Sequence, residues 1–113
     1  MKLVIIESPY AGDVERNLRY ARRAVHDSLS RGEAPIASHL LYTQPGILND
    51  DDPNERHWGI TAGLAWHLAK NVTTVVYNDY GISKGMAYGI SAAINHGSPV
   101  EYRSIGPNSE TPL

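Results

Sequence analysis

The sequence contains no cysteine. A disulfide framework, a thiolate nucleophile and a cysteine metal site are therefore excluded. Nor is there an apolar run approaching the roughly 18 residues that a membrane span requires. After Met1-Lys2 only Leu3 to Ile6 are apolar before Glu7 intervenes, too short a stretch for a secretory signal. A cytoplasmic protein without membrane partners is the expectation. Charge of one sign is also scarce. A formal net charge of -2 offers no general attraction for nucleic acid, and the basic segment Arg16, Arg19, Arg22, Arg23 reads as a solvated helix face. No internal repeat or low-complexity segment occurs. Asp50-Asp51-Asp52 matches no calcium loop and precedes Pro53, so it reads as an acidic helix-capping turn. His57 and His67 are too far apart to form the i, i+4 pair of a helical zinc site. No metal and no cofactor are expected.

What is present fits one domain. The chain has 113 residues, 42% apolar and 19% charged, which suits a single globular unit with a real core. Residues 1–105 form the expected domain, and 106–113, without periodicity, a flexible tail.

The most informative stretch is Val72 to Gly97. Val72-Thr73-Thr74-Val75-Val76-Tyr77 is β-branched and stops at the turn formers Asn78-Asp79-Tyr80-Gly81. Met86, Ile90, Ala93 and Ile94 then recur at helical spacing, with Ser83 as a cap and Gly85 permitting close backbone approach. A second unit of this kind opens the chain. Leu3 to Ile6 reads as a doubly buried strand, Glu7 to Asp13 as a loop, and Val14, Leu18, Ala21, Val25 and Leu29 as one face of a helix ending before Gly32. Ala34 to Ser38 suggests a short strand, Thr43 to Asp52 a long surface loop, and Pro53 to about Lys70 a helix with Trp58, Ala62, Ala65 and Trp66 on an apolar face. Val100 to Ile105 supplies a last strand. This alternation predicts an α/β fold with a small parallel sheet in order 2-1-3-4, flanked by helices. Ligands of such sheets bind beyond the carboxyl ends of the strands where the order reverses. That point lies between the loops Ser8 to Asp13 and Asn78 to Gly85, whose free amides favour an anionic or strongly polar group.

Ser8-Pro9-Tyr10-Ala11-Gly12-Asp13, Pro35-Ile36-Ala37-Ser38-His39-Leu40-Leu41 and Ile82-Ser83-Lys84-Gly85-Met86 together resemble the nucleoside 2-deoxyribosyltransferase-like proteins, including small relatives common in phages and bacteria. The resemblance spans roughly residues 3–104. It implies a Rossmann-like or flavodoxin-like domain with a pocket for a nucleotide or nucleoside derivative, in an assembly where a neighbouring subunit often completes the pocket. A homo-oligomer is expected on that basis, with the Trp58 to Leu68 helix as a contact. The family's glutamate nucleophile falls on Gly89, and an acidic residue usually found six positions earlier falls on Ser83. Glycosyl transfer then requires a substitute carboxylate, Asp79 in first place or Glu7. The two readings are a binder that sequesters a nucleotide signal, and a deoxyribosyltransferase or N-glycoside hydrolase with a relocated carboxylate. A domain that has kept the fold and lost the pocket is a third possibility.

The candidate ligand-binding residues are Ser8, Tyr10, Gly12, Asn17, His39, Ser83, Gly85 and Met86. Tyr10 offers an apolar body with a polar tip to a sugar or carboxylate. Asn17 lies one turn into the first helix, and either contacts a ligand or faces solvent. His39 follows a strand end, where it meets a base or phosphate or else is a buried, hydrogen-bonded histidine. Trp58 and Trp66 read as core or interface residues.

Overall fold

Residues 1–108 are described by the structure, a computed structural model. Its central strand is β3, Val72–Tyr77, in which every residue is buried, as β-branched side chains between two helical layers should be. Strand β1, Lys2–Glu7, runs parallel beside it, pairing Leu3 with Val72 and Glu7 with Val76. On the outer side of β1 lies β2, Glu33–Ile36, and beyond β3 lies β4, Val100–Arg103. The sheet is parallel throughout, in order β2-β1-β3-β4. This is the expected α/β architecture, consistent with a Rossmann-like or flavodoxin-like fold.

Alternate residues of the two inner strands serve opposite layers. Val4, Ile6, Val75 and Tyr77 pack with Tyr20 and Ala24 of α1, Val14–Ser30. The other face carries Glu7 and Thr74, which meet His67 in a 3-10 turn at Trp66–Leu68. Glu7 also lies against Gly89 of α4, Lys84–His96. Capping follows the sequence closely. Asp13 accepts the Arg16 amide at the start of α1, and Asp52 accepts the Asn54 and Glu55 amides at the start of α3, Pro53–Ala65. Ser83 accepts the Met86 amide at the start of α4, and Gly97 closes that helix in the left-handed conformation.

Several local expectations shift. The buried stripe of α1 is Asn17, Tyr20, Ala21, Ala24 and Ser28, whereas Val14 and Leu29 at the ends of the expected face are exposed. The helix is rotated because its inward polar groups find internal partners: Asn17 on the Tyr10 and Ala11 carbonyls, Tyr20 on Asp79 and Ser28 on Glu33. Hydropathy alone assigns such groups to the outside. In α4 the buried residues are Met86, Gly89 and Ala93, with Gly89 against the Glu7 carboxyl, and Ile94 is exposed. The expected helix from Pro53 to Lys70 ends at Ala65 and tightens into the 3-10 turn, and none of α3 is buried. Residues His39 to Tyr42, given no element by pattern, lie in a short helix α2, Ser38–Leu41, and its cap.

The expected tail is anchored at its start. Asp79 accepts the Ile105 and Gly106 amides, Arg23 donates to the Ile105 and Gly106 carbonyls, and Asn108 bonds Tyr80 and the Arg16 carbonyl. Residues 109–113, the remainder of that tail, lie outside the described residues. No described helix is long and apolar enough to cross a membrane.

Candidate functional site

Because β1 and β3 are adjacent and parallel, the segments leaving their carboxyl ends emerge side by side. The first runs from Ser8 to Asp13, with Gly12 at φ +99°, and feeds α1; the second runs from Asn78 to Ser83, with Gly81 at φ +80°, and feeds α4. Both glycines occupy backbone conformations that a side chain would strain. Across this switch point the Arg16 guanidinium lies 4.1 Å above the Tyr80 ring, and Tyr80 meets Tyr20 edge-on at 4.9 Å. The two loops are thus joined on the α1 side by a cation-π contact and an aromatic pair.

The candidate residues divide by what they contact. Ser8 Oγ and His39 Nε2 share a hydrogen bond at 2.6 Å, tying the first loop to α2. Desolvation pushes the His39 pKa down to about 4, so its imidazole is neutral around pH 7. Asn17, 1% exposed, donates to the Tyr10 and Ala11 carbonyls at 2.8 and 3.1 Å and so fixes the loop around half-buried Tyr10. Ser83 and Met86 form the α4 cap, with the Ser83 amide donating to Met86 Sδ, while Met86 is buried and Gly85 exposed. Ser8, Tyr10, Gly12, Asn17 and His39 therefore make one connected group. Ser83, Gly85 and Met86 belong to the neighbouring loop and helix start.

Asp79 is fully committed. Its carboxylate accepts from the Tyr20 and Ser104 hydroxyls and from the Ile105 and Gly106 amides. Burial raises its pKa, but these donors outweigh that effect and hold it near 2. A carboxylate engaged by this many donors anchors the segment Ser104 to Gly106 and has little freedom to attack a substrate.

Glu7 is placed differently. Its Oε2 lies 3.2 Å from His67 Nε2, and His67 Nδ1 lies 3.2 Å from Thr74 Oγ1, giving a carboxyl, imidazole and hydroxyl in line. Burial raises the Glu7 pKa, while the His67 hydrogen bond and charge oppose the rise. A Cβ built on Gly89 would fall 2.4 Å from this carboxyl group. The Glu7 carboxyl therefore lies where a side chain at position 89 would begin. Sequence reasoning missed His67 and Thr74. The available signal was a pair of polar interruptions, Glu7 closing an apolar run and Thr74 inside a β-branched one.

Two surface cavities are lined by other residues. One of about 390 Å³ is bordered by Arg22, Val25, Ile36, Leu40 and Gln44, and one of about 460 Å³ by Lys70, Asn71, His96 and Ser98. Among the described residues no group of three or more His, Cys, Asp or Glu side chains is arranged to hold a metal ion.

Comparison with protein families gives a match over residues 2–103 to a domain of unknown function, DUF7768. The chain belongs to this family. The DUF7768 match runs from the first residue of β1 to the last of β4, and so takes in the sheet, all four helices and both rim loops. The anchored segment Ser104 to Asn108 follows it. None of the curated proteins compared with the chain matches it.

Proposed function

We propose that this DUF7768 protein binds a nucleotide or nucleoside derivative at the carboxyl rim of β1 and β3, beside Ser8, Tyr10, Asn17 and His39. The observation that carries the reading is the juxtaposition of two glycine-containing strand-to-helix loops at the point where the strand order reverses. The Ser8–His39 pair and the half-buried Tyr10 supply polar and aromatic contacts suited to a sugar and base. The resemblance to nucleoside 2-deoxyribosyltransferase-like proteins points to the same ligand class, and a cytoplasmic protein that sequesters a nucleotide signal would need no catalytic residue.

A second reading has a specific observation behind it. With glycine at position 89, the Glu7 carboxyl approaches the space that a side chain there would enter. Glu7, rather than the committed Asp79, is then the relocated carboxylate of an N-glycoside hydrolase. Its oxygen would bond the anomeric carbon as the C–N bond breaks, and the departing base nitrogen would take a proton from solvent. Water would then release the sugar and regenerate the carboxylate.

One experiment separates the readings. Calorimetric titration with deoxynucleosides, nucleotides and cyclic nucleotides is followed by chromatography of each mixture for free base. Binding without release supports the binder, and release that disappears in Glu7→Gln supports the hydrolase. No heat and no release across the whole panel would remove both.

A further inference from the structure

We propose that Arg16 is a phosphoryl-reading residue, so that the ligand at this rim is a phosphorylated nucleotide in preference to a nucleoside. The inference rests on the binding reading above and deepens it.

Arg19, Arg22 and Arg56 are exposed, and the other half-buried arginines, Arg23 and Arg103, are spent on internal partners. Arg31 pairs with Asp27, Arg103 with Glu33 and Glu101, and Arg23 holds the carbonyls of Ile105 and Gly106. Arg16 is half-buried and has no ion-pair partner among the described residues. The neighbouring acids are otherwise engaged: the Asp13 carboxylate caps α1 through the Arg16 backbone amide, and the Asp79 carboxylate is filled by its own donors.

The guanidinium is nevertheless fixed. Its Nε and Nη2 both donate to Asn17 Oδ1, at 3.1 and 3.0 Å. That oxygen is turned toward Arg16, because the amide nitrogen of Asn17 is taken by the Tyr10 and Ala11 carbonyls. The guanidinium plane is held over Tyr80. Tyr80 is in turn held by the edge of Tyr20 and by the Asn108 amide donating to its hydroxyl at 2.8 Å. Asn17 takes the side edge of the guanidinium, which leaves the outer edge, Nη1 with the second Nη2 hydrogen, for a forked pair with two anionic oxygens. Much of the side-chain entropy that an arginine loses on gripping an anion is already lost here. Lysine offers neither the fork nor the stacking, so Arg16→Lys should not substitute.

The test uses the full chain and calorimetry with deoxynucleosides, their 5′-monophosphates and 5′-diphosphates, and pyrophosphate alone. Wild type should bind each phosphorylated form about tenfold or more tightly than its nucleoside. Arg16→Gln and Arg16→Lys should lose most of that difference, and Arg19→Gln, which removes the same charge from the exposed side of α1, should keep it. Equal affinity for nucleoside and nucleotide in wild type, or a difference that survives in Arg16→Gln, overturns the inference while leaving the crevice reading standing. Pyrophosphate bound by wild type and lost in Arg16→Gln supports the role of Arg16 even if nucleosides give no heat, in which case it is the nucleoside part of the reading that fails. No binding of any phosphorylated probe overturns the inference.

Discussion

A glycine in the middle of a helix is ordinarily a loss. Replacing an exposed helical glycine by alanine typically stabilises by up to about 1 kcal/mol. At Gly89 the sign should reverse, because the new Cβ would meet the Glu7 carboxyl at 2.4 Å. The Glu7 carboxyl ends a flexible side chain, but turning it away would break its 3.2 Å hydrogen bond to buried His67. Gly89→Ala is expected to cost about 2 kcal/mol or more in urea denaturation, the usual range for overpacking. Adding Glu7→Ala should recover part of the loss, since it removes the colliding group. A double mutant no more stable than the sum of its single changes predicts would show that the contact is not the cause. The sequence singled out Gly89 only through a resemblance, as the position on which that family's nucleophile would fall. Its role as the gap that admits Glu7 was not legible there, because that role depends on β1 and α4 lying in register across layers.

At the scale of elements, α3 stands apart. It carries Trp58, Ile60 and Leu64, and continues through Trp66 to Leu68, yet no residue of α3 is buried, with Trp58 at 59% exposure and Leu68 at 69%. A large apolar surface of this kind is uncommon on a chain that acts alone. A homo-oligomer with the Trp58 to Leu68 segment in the contact, the arrangement the resemblance implies, would cover these residues. Light scattering should give a mass above that of one 12.4 kDa chain. Trp58→Glu with Leu68→Glu should return it to one chain without lowering helix content; a monomeric mass for wild type would sink the idea. The apolar character of this segment was readable from its residues. Whether that surface turned inward was not, because Ile60 and Leu64 lie away from the Trp58, Ala62 and Ala65 face, so two sides of the helix are apolar.

For the molecule as a whole, Glu33, Asp79, Glu101 and His39 have lowered pKa values that favour the fold at higher pH, while Glu7, raised by burial, acts against them. Glu33 is gripped by the forked Arg103 guanidinium at 2.7 Å on both oxygens and by Ser28. Arg103 and Ser28 hold the Glu33 pKa near 2 although burial opposes them. Asp79 is likewise held near 2, and His39 near 4. Each native pKa lies below its ordinary value, 4.5 for Glu33, 3.8 for Asp79 and 6.5 for His39. The unfolded chain therefore binds more protons at these three groups, and their contribution to stability rises with pH. The His39 contribution is complete above about pH 6.5 and falls away toward pH 4. Those of Glu33 and Asp79 are complete above about pH 4.5 and fall away toward pH 2. The urea midpoint should accordingly drop in two stages as pH is lowered from 7. In His39→Asn the first stage should shrink and the second remain; a midpoint flat from pH 7 to 3 would contradict these assignments. The Glu33–Arg103 pair links the two edge strands β2 and β4, so acid should loosen the sheet from its margins.

The sequence by itself determined the alternation of strands and helices, the cap at Ser83 and the capping turn Asp50-Asp51-Asp52, the parallel sheet in order β2-β1-β3-β4 and the rim at which its two glycine loops meet. These follow from periodicity, turn chemistry and the handedness of crossovers, which act over a few residues or on topology alone. Tertiary structure decided which way each helix turned and which polar groups became partners: Asn17 inward to the loop carbonyls, Tyr20 to Asp79, Glu7 to His67 beneath Gly89, and Arg16 over Tyr80. Those pairs join residues far apart in the chain, and a buried polar group is stable only where such a partner meets it, so hydropathy alone assigns these groups to the surface.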